Sequence, residues 1–516
     1  MFLDVLEAIF LPQNLLYMTI AIILGIIFGA IPGLSGNTLL ALFLPISYAI
    51  EPVLSLIIVA GIYAGGGSGG LIGSVLLGVP GTGGNVATCF DGYPMAQQGK
   101  AGRALGIAIF SSFIAYLLSM IVCMLVCEPL ARVAVKLGPW EYFSLCSASI
   151  VLVVTLSKGN MFSGLLSASV GLAVGSIGMA PVDAAVRYTF GFNNLRSGVP
   201  LLCVTLGVFA FSNLACNFAR GQMQTPDIDV KGIKGIGIKM KEYFSHYVLI
   251  IKSFFLGLVI GFMPGMGAGL SNVVAYATAK TSSKHPEKFG TGCDEGIIAP
   301  EIANNASCGG ALIPLLSLGI PGDSGGALLI AALLIQGIEI GPLLMVENAY
   351  IVWCFLAALT LGIIITFVVE MGGMRIFPHV LRVPCCFLYS TIFLLCVVGI
   401  YANTNSLFSI GLMIALSVLG IIMAYGNLPV SPFLLGYILG PMMEKYLRQG
   451  LTFSDNGFIM FLQRPVSALL LAVVVLALIW PFVRDALNKR KERLNIKTEV
   501  DLALENAEGM TVGGED

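Results

Sequence analysis

The chain is a succession of long apolar blocks parted by short polar punctuation. The first block, 15–31, has about the ~20 residues a helix needs to cross a bilayer. It ends in Gly29-Ala30-Ile31-Pro32-Gly33-Leu34-Ser35-Gly36-Asn37. A second block, 38–64, is interrupted by Pro45 and Glu51-Pro52 and runs into Gly65-Gly66-Gly67-Ser68-Gly69-Gly70, after which comes Leu77-Gly78-Val79-Pro80-Gly81-Thr82. The two Pro-Gly breaks enclose a piece too interrupted for an ordinary span, so re-entrant or broken helices are expected there. Further spans are expected at 104–127, 142–156, 161–179 and 199–216, with a loop over 183–197. A hydrophilic linker, 217–247, carries Asp227, Asp229 and several lysines, and 239–247 within it reads as an interfacial helix. Later spans are expected at 344–369, 386–402, 407–424 and 468–482, ahead of a polar tail. The pattern predicts an all-α polytopic membrane protein with about 10–14 membrane segments. Its parts are a first transmembrane unit 1–216, the linker, a second unit 248–484 and the tail 485–516.

One stretch, 257–326, concentrates features that are costly in lipid. An apolar helix breaks at Gly261-Phe262-Met263-Pro264-Gly265-Met266-Gly267. A polar segment carries Ala299-Pro300-Glu301-Ile302-Ala303-Asn304-Asn305-Ala306, and the stretch closes on Leu318-Gly319-Ile320-Pro321-Gly322-Asp323-Ser324. Each N–H and C=O freed at a break must find a partner in protein, water or a ligand.

This stretch has a counterpart. Residues 25–36 (GIIFGAIPGLSG) match 257–268 (GLVIGFMPGMGA), and Leu77-Gly78-Val79-Pro80-Gly81 matches Leu318-Gly319-Ile320-Pro321-Gly322. The later copy has a longer interval between its breaks, an insertion expected near 284–292. Met161-Phe162-Ser163 also lines up with Leu407-Phe408-Ser409. Two copies of one fold, each with discontinuous helices, are expected of a secondary transporter with a midplane site. The expected relation is inverted; a linker and a tail both in the cytoplasm would instead require parallel copies.

Broken helices expose N–H groups at half-helix starts, which attract anions, and C=O groups at half-helix ends, which attract cations. The expected substrate-binding residues are Gly33, Ser35, Gly36, Asn37, Pro80, Gly81, Thr82, Asn304, Asn305, Pro321, Gly322 and Ser324; the expected coupling-ion residues are Pro264, Gly265, Gly267, Glu301 and Asp323. Asn304 and Asn305 offer both donors and acceptors, and Glu301 and Asp323 are ionisable groups beside breaks. The bland alternatives are helix–helix hydrogen bonding for the amides and local capping for the hydroxyls. Asp183 with Arg187, and Glu444 with Arg448 at helical i,i+4 spacing, read as structural anchors.

Composition agrees with the pattern. The 516 residues are 57% hydrophobic and 11% charged, against ~25% charged in soluble domains, and mean hydropathy is +0.93. A net charge of -1 gives no reason to expect nucleic-acid binding. No Lys or Arg precedes Lys100, so a secretory signal with a basic n-region is not expected. Basic residues crowd 231–252 and the tail (Arg484, Lys489, Arg490, Lys491, Arg493), placing both in the cytoplasm by the positive-inside rule. The 12 cysteines and 3 histidines lack metal-site spacing and the cysteines read as small buried residues; no metal or organic cofactor is expected. No catalytic motif stands out. An intramembrane enzyme acting on a lipid-like substrate through Glu301, Asp323 and Asp183 is the rival reading.

These residues resemble the TctA family, the large membrane subunit of tripartite tricarboxylate transporters. The resemblance spans nearly the whole chain and rests on an ordered set: Gly29 to Leu34; Pro80-Gly81-Thr82; Asp91-Gly92-Tyr93-Pro94-Met95-Ala96 with Gly99-Lys100-Ala101-Gly102-Arg103; Arg187-Tyr188-Thr189-Phe190-Gly191; Ala299-Pro300-Glu301 with Ala303-Asn304-Asn305-Ala306; Ile313-Pro314-Leu315 with Leu318 to Gly322; and Gly440, Glu444, Arg448 and Arg464-Pro465. It implies carboxylate uptake across a bacterial inner membrane by symport with a cation, Na+ or H+. It also implies a small membrane subunit and a periplasmic solute-binding protein as partners. Gly78 and Asp323 depart from the family pattern, where a polar amide and a small hydroxyl residue are expected. A carboxylate at Asp323 disfavours a multiply charged anion unless a cation offsets it.

Overall fold

The structure is a computed structural model that describes residues 2–31, 34–156, 161–219, 237, 240–264, 266–341, 343–376, 385–454 and 457–479. Gly33, Gly265, most of the basic linker and the tail beyond 479 lie outside the described residues.

It is an all-α polytopic membrane protein. Five helices are long and apolar enough to cross a bilayer, Pro12–Ala30, Pro52–Leu77, Thr88–Ala134, Ala349–Gly373 and Leu407–Tyr425, and shorter apolar helices pack among them. In chain order the first half holds α1 (Phe2–Phe10), α2 (Pro12–Ala30), α3 (Gly36–Ser47), α4 (Pro52–Leu77), α5 (Thr88–Met95), α6 (Ala101–Ala134), α7 (Pro139–Leu156), α8 (Met161–Gly175), α9 (Leu201–Val204) and α10 (Ser212–Ala219), the last two joined by a π-helical stretch, Thr205–Phe211. The second half continues with α11 (Met240–Phe244), α12 (Tyr247–Phe262), α13 (Gly267–Ser282), α14 (Glu295–Leu318), α15 (Ser324–Ile335), α16 (Leu344–Glu347) and α17 (Ala349–Gly373). Helices Cys385–Thr404, Leu407–Tyr425, Val430–Thr452, Ile459–Gln463 and Pro465–Ile479 complete it.

Helix ends fall where local chemistry puts them. α2 and α4 begin at Pro12 and Pro52, whose missing N–H is harmless in the first turn. α4 and α14 stop at glycines in the left-handed region, Gly78 (φ 66) and Gly319 (φ 76). At the second, Gly319 N–H returns to Leu315 O and Ile320 N–H to Pro314 O, which satisfies carbonyls at the helix end.

The piece between the first two Pro-Gly breaks, expected to be too interrupted for an ordinary span, does hold one: α4 is long and apolar enough to cross a bilayer. Gly65 to Gly70 lie inside the 26-residue α4, which is almost wholly buried. Gly61, Gly65, Gly69 and Gly73, each four apart, face the backbone of Met18, Ile22, Ile26 and Ala30 on α2. In lipid, where apolar side chains gain little by leaving the solvent, such small-residue stripes let helices pack backbone to backbone. A Cβ on Gly25 would fall 2.8 Å from Gly66 N, and one on Gly36 2.5 Å from Gly66 Cα. α12 lies on α14 in the same manner, with Gly257 and Gly261 against Ala303 and Ser307.

Ion pairs tie helices to the loops between them. Arg103 at the start of α6 donates to Asp294 (3.1 and 2.5 Å) and to Glu242 on α11 (2.8 Å). The two pairs read as anchors join into one network. Arg187 is bidentate to Glu444, and Arg448 reaches both Glu444 (2.9 Å) and Asp183 (2.8 Å). The Arg448 bond holds the exposed Asp183 carboxyl below the ordinary aspartate range. A two-residue antiparallel bridge, Gly178–Met179 on Val186–Arg187, shapes this loop.

Candidate functional site

Where the broken helices meet, they enclose a cavity of about 790 Å³. Three helices of twelve or more residues start at its wall: α3 with Ser35, Gly36 and Asn37; α13 with Met266 and Gly267; α15 with Asp323, Ser324 and Gly325. Each presents the positive end of its dipole there. Ser35 caps α3 by accepting from Thr38 N (3.2 Å), and Asp323 caps α15 by accepting from Gly326 N (2.7 Å). α13 has no side-chain cap. The rest of the wall comes from α4 (Tyr63, Gly66, Gly67), the turn Pro80 to Gly84, α14 (Asn304, Cys308) and the start of helix Val430–Thr452 (Ser431, Leu435). Among the described lining residues there is no Lys, Arg or His, and Asp323 is the sole carboxylate.

Ser35, Gly36, Asn37, Pro80, Gly81, Thr82, Gly267, Asn304, Asp323 and Ser324 therefore share one cavity, although they come from two distant parts of the chain. Asn37 Nδ2 donates to Ser324 Oγ at 3.0 Å and ties α3 to α15. Gly267 (φ 49) sits where a Cβ would come within 2.8 Å of Asp323 Cβ, so the α12–α13 and α14–α15 breaks touch. Pro321 and Gly322 form the turn behind the wall, with Gly322 against Ala311, and Pro264 lies in the α12–α13 turn outside the cavity.

Glu301 and Asn305 point elsewhere. Glu301 is fully buried and accepts from Asn85 Nδ2 (3.0 Å), Thr88 Oγ1 (2.5 Å) and Ser112 Oγ (2.8 Å). Asn305 Nδ2 donates to Glu301 O (2.9 Å). Asn85 in turn accepts from Thr82 Oγ1 (2.6 Å), which links the carboxylate to the cavity wall. Asn305 lines a second, small cavity with Ser68, Ser112, Tyr116, Thr366 and Glu370.

Several of these residues escape a reading of the sequence. Asn85, Thr88 and Ser112 are ordinary helix-cap or core types until Glu301 is placed among them. Glu370 did carry a signal, being the one charged residue in the apolar helix α17. Asp91, within a quoted motif, is buried and accepts from the backbone N–H of Gly290, Gly292 and Cys293 (2.8–3.0 Å) and from Tyr276 OH (2.9 Å). It pins the loop in which the insertion is expected. Among the described residues no three His, Cys, Asp or Glu side chains cluster as metal ligands do.

The chain is similar to proteins of Agrobacterium vitis. The sequence is 31% identical over 487 residues to an uncharacterized 52.8 kDa protein in the TAR-I ttuC' 3'region of Agrobacterium vitis, covering 94% of this chain and 96% of that protein. A second protein of the same organism, in the TAR-II ttuC' 3'region, is 30% identical over 236 residues, 46% of this chain and 98% of its own length. No solved structure matches significantly. The Tripartite tricarboxylate transporter TctA family matches over residues 15–435, a range holding both sets of breaks and the cavity between them, and the chain belongs to that family.

Proposed function

We propose that this chain is the translocating subunit of a cation-coupled importer for a small organic anion of the di- or tricarboxylate class. The observation that carries the reading is the meeting of three helix N-termini at one cavity that has no basic side chain among its described residues. Such a wall attracts negative charge through backbone dipoles and N–H groups. Hydroxyls and amides of Ser35, Asn37, Thr82, Asn304 and Ser324 supply directional hydrogen bonds. Asp323 stands beside them as a negative charge that a co-transported cation, Na+ or H+, would offset.

In this reading a periplasmic binding protein delivers the anion and a small membrane subunit accompanies the chain in the bacterial inner membrane, with the tail in the cytoplasm. The two halves act as inverted copies rocking about the cavity. That α2 and α12 each lead through a break into α3 and α13, and that α4 and α14 each end on a left-handed glycine, supports the pairing. The enzyme alternative has less support, because its three carboxylates have separate partners: Asp183 pairs with Arg448, Glu301 lies in its own cage, and Asp323 caps α15.

Uptake into proteoliposomes holding this chain, its small subunit and its binding protein is the test. Accumulation of a labelled di- or tricarboxylate under an inward Na+ or H+ gradient is expected. No accumulation of any carboxylate under either gradient would overturn the proposal.

A further inference from the structure

The small cavity behind Glu301 has features that substrate binding in the large one does not use. Its volume of about 10 Å³ is that of a single water-sized body. Glu370 on α17 is buried there. Its Oε2 accepts from Ser68 Oγ at 2.8 Å, while its Oε1 has no hydrogen-bond partner among the described residues. The hydroxyl of Thr366, on the same cavity wall and equally buried, also lacks a partner among the described residues. A buried carboxylate with one bare oxygen and no cation beside it is among the costliest arrangements in a protein interior. Two such oxygens beside one water-sized space, with the hydroxyl and amide oxygens of Ser68, Ser112 and Asn305 on the same wall, fit a small hard cation, which takes carboxylate, hydroxyl and amide oxygens.

We propose that Glu370 and Thr366, with Ser68, Ser112 and Asn305, form a site for one sodium ion, distinct from the large cavity. The site deepens the importer reading and rests on it for its role as the coupling site. Its place in the fold gives it a mechanical link to the anion. On α4, Gly67 lines the large cavity and Ser68 the small one. On α14, Asn304 lines the large cavity and Asn305 the small one. Glu301 is bonded from both sides, through Asn85 toward the large cavity and through Ser112 and Asn305 toward the small one. Drawing Asn305 and Ser112 onto a cation therefore moves the neighbours of the residues that face the anion.

The experiment is thermal unfolding of the purified full-length chain in nanodiscs, with NaCl titrated against choline chloride and, separately, KCl. A saturable rise in Tm specific to Na+ is expected. Glu370→Gln keeps the shape and should weaken the apparent Na+ affinity at least ~10-fold. Thr366→Val should weaken it less, and it carries the test if Glu370→Gln does not fold. An unchanged Na+ response in these variants overturns the proposal. So does a wild-type Tm indifferent to Na+, including the case in which only pH moves it, which would make Glu370 a proton carrier. The assay needs no anion or partner protein, so the two readings fail separately. Absent uptake with an intact Glu370-dependent Na+ shift sinks the importer alone, whereas Na+-driven uptake that survives Glu370→Gln sinks this site alone.

Discussion

Asp323 does two jobs that substitution can separate. As the cap of α15 it accepts from Gly326 N, and as a charge it lines the large cavity. Asn caps about as well as Asp, whereas Ala costs about 1 kcal/mol. Asp323→Asn should therefore leave Tm nearly unchanged and lower the KM for a multiply charged anion, and Asp323→Ala should also lower Tm. Melting curves with uptake kinetics on the same preparations check this. Glu301 makes the opposite case. Glu301→Ala strands the donors of Asn85, Thr88 and Ser112 in the interior. A loss of about 1–3 kcal/mol is expected for each donor left without a partner. Glu301→Gln should lose less, because its carbonyl oxygen still accepts; denaturant melts of the pair distinguish them.

At the scale of elements, the close approach of α2 and α4 has a measurable cost of disruption. Gly25→Ala puts a methyl group 2.8 Å from Gly66 N and 2.9 Å from Ile62 O, both backbone atoms that cannot swing aside. Overpacking of this kind costs about 1–3 kcal/mol and should appear as a lower Tm. The Asp91 clasp predicts a local effect instead. Asp91→Ala frees the N–H groups of Gly290, Gly292 and Cys293, so trypsin should cut faster at Lys284 and Lys288 with the rest of the chain intact. The helix ends that flank the Pro-Gly breaks were legible in the sequence because each has a local cause: a missing donor, a left-handed residue, an end to an apolar run. Gly65 to Gly70 misled for an equally physical reason. In sequence a glycine run reads as a helix breaker, and only the backbone of α2 lying against it shows that the lack of side chains is the point. The partners of Glu301 were illegible because they come from α5, α6 and the turn before α5, brought together by packing alone.

For the molecule as a whole, the cavity joins the two halves, and one of its own residues reports on occupancy. Cys308 lines the wall beside Asn304 and is partly exposed. Modification of Cys308 by a small thiol reagent, followed by mass spectrometry of its peptide, should slow when a bound carboxylate is present. Labelling of Cys89, which does not line the cavity, should not.

A wall that holds charge with backbone dipoles differs in kind from one that uses arginine or lysine. Peptide dipoles do not titrate, and replacing a side chain does not delete them. The contribution of these dipoles to holding an anion should thus be uniform across the pH range in which the fold survives, with the pH dependence of uptake set by the carboxyl groups of the cargo, of Asp323 and of Glu370. A substitution at Asn304, on the cavity wall, should then change which anion fits more than whether one is attracted. If the cavity holds an anion in this way, exchanging a single wall side chain should shift the preference between carboxylates without abolishing binding, which a comparison of uptake spectra would show.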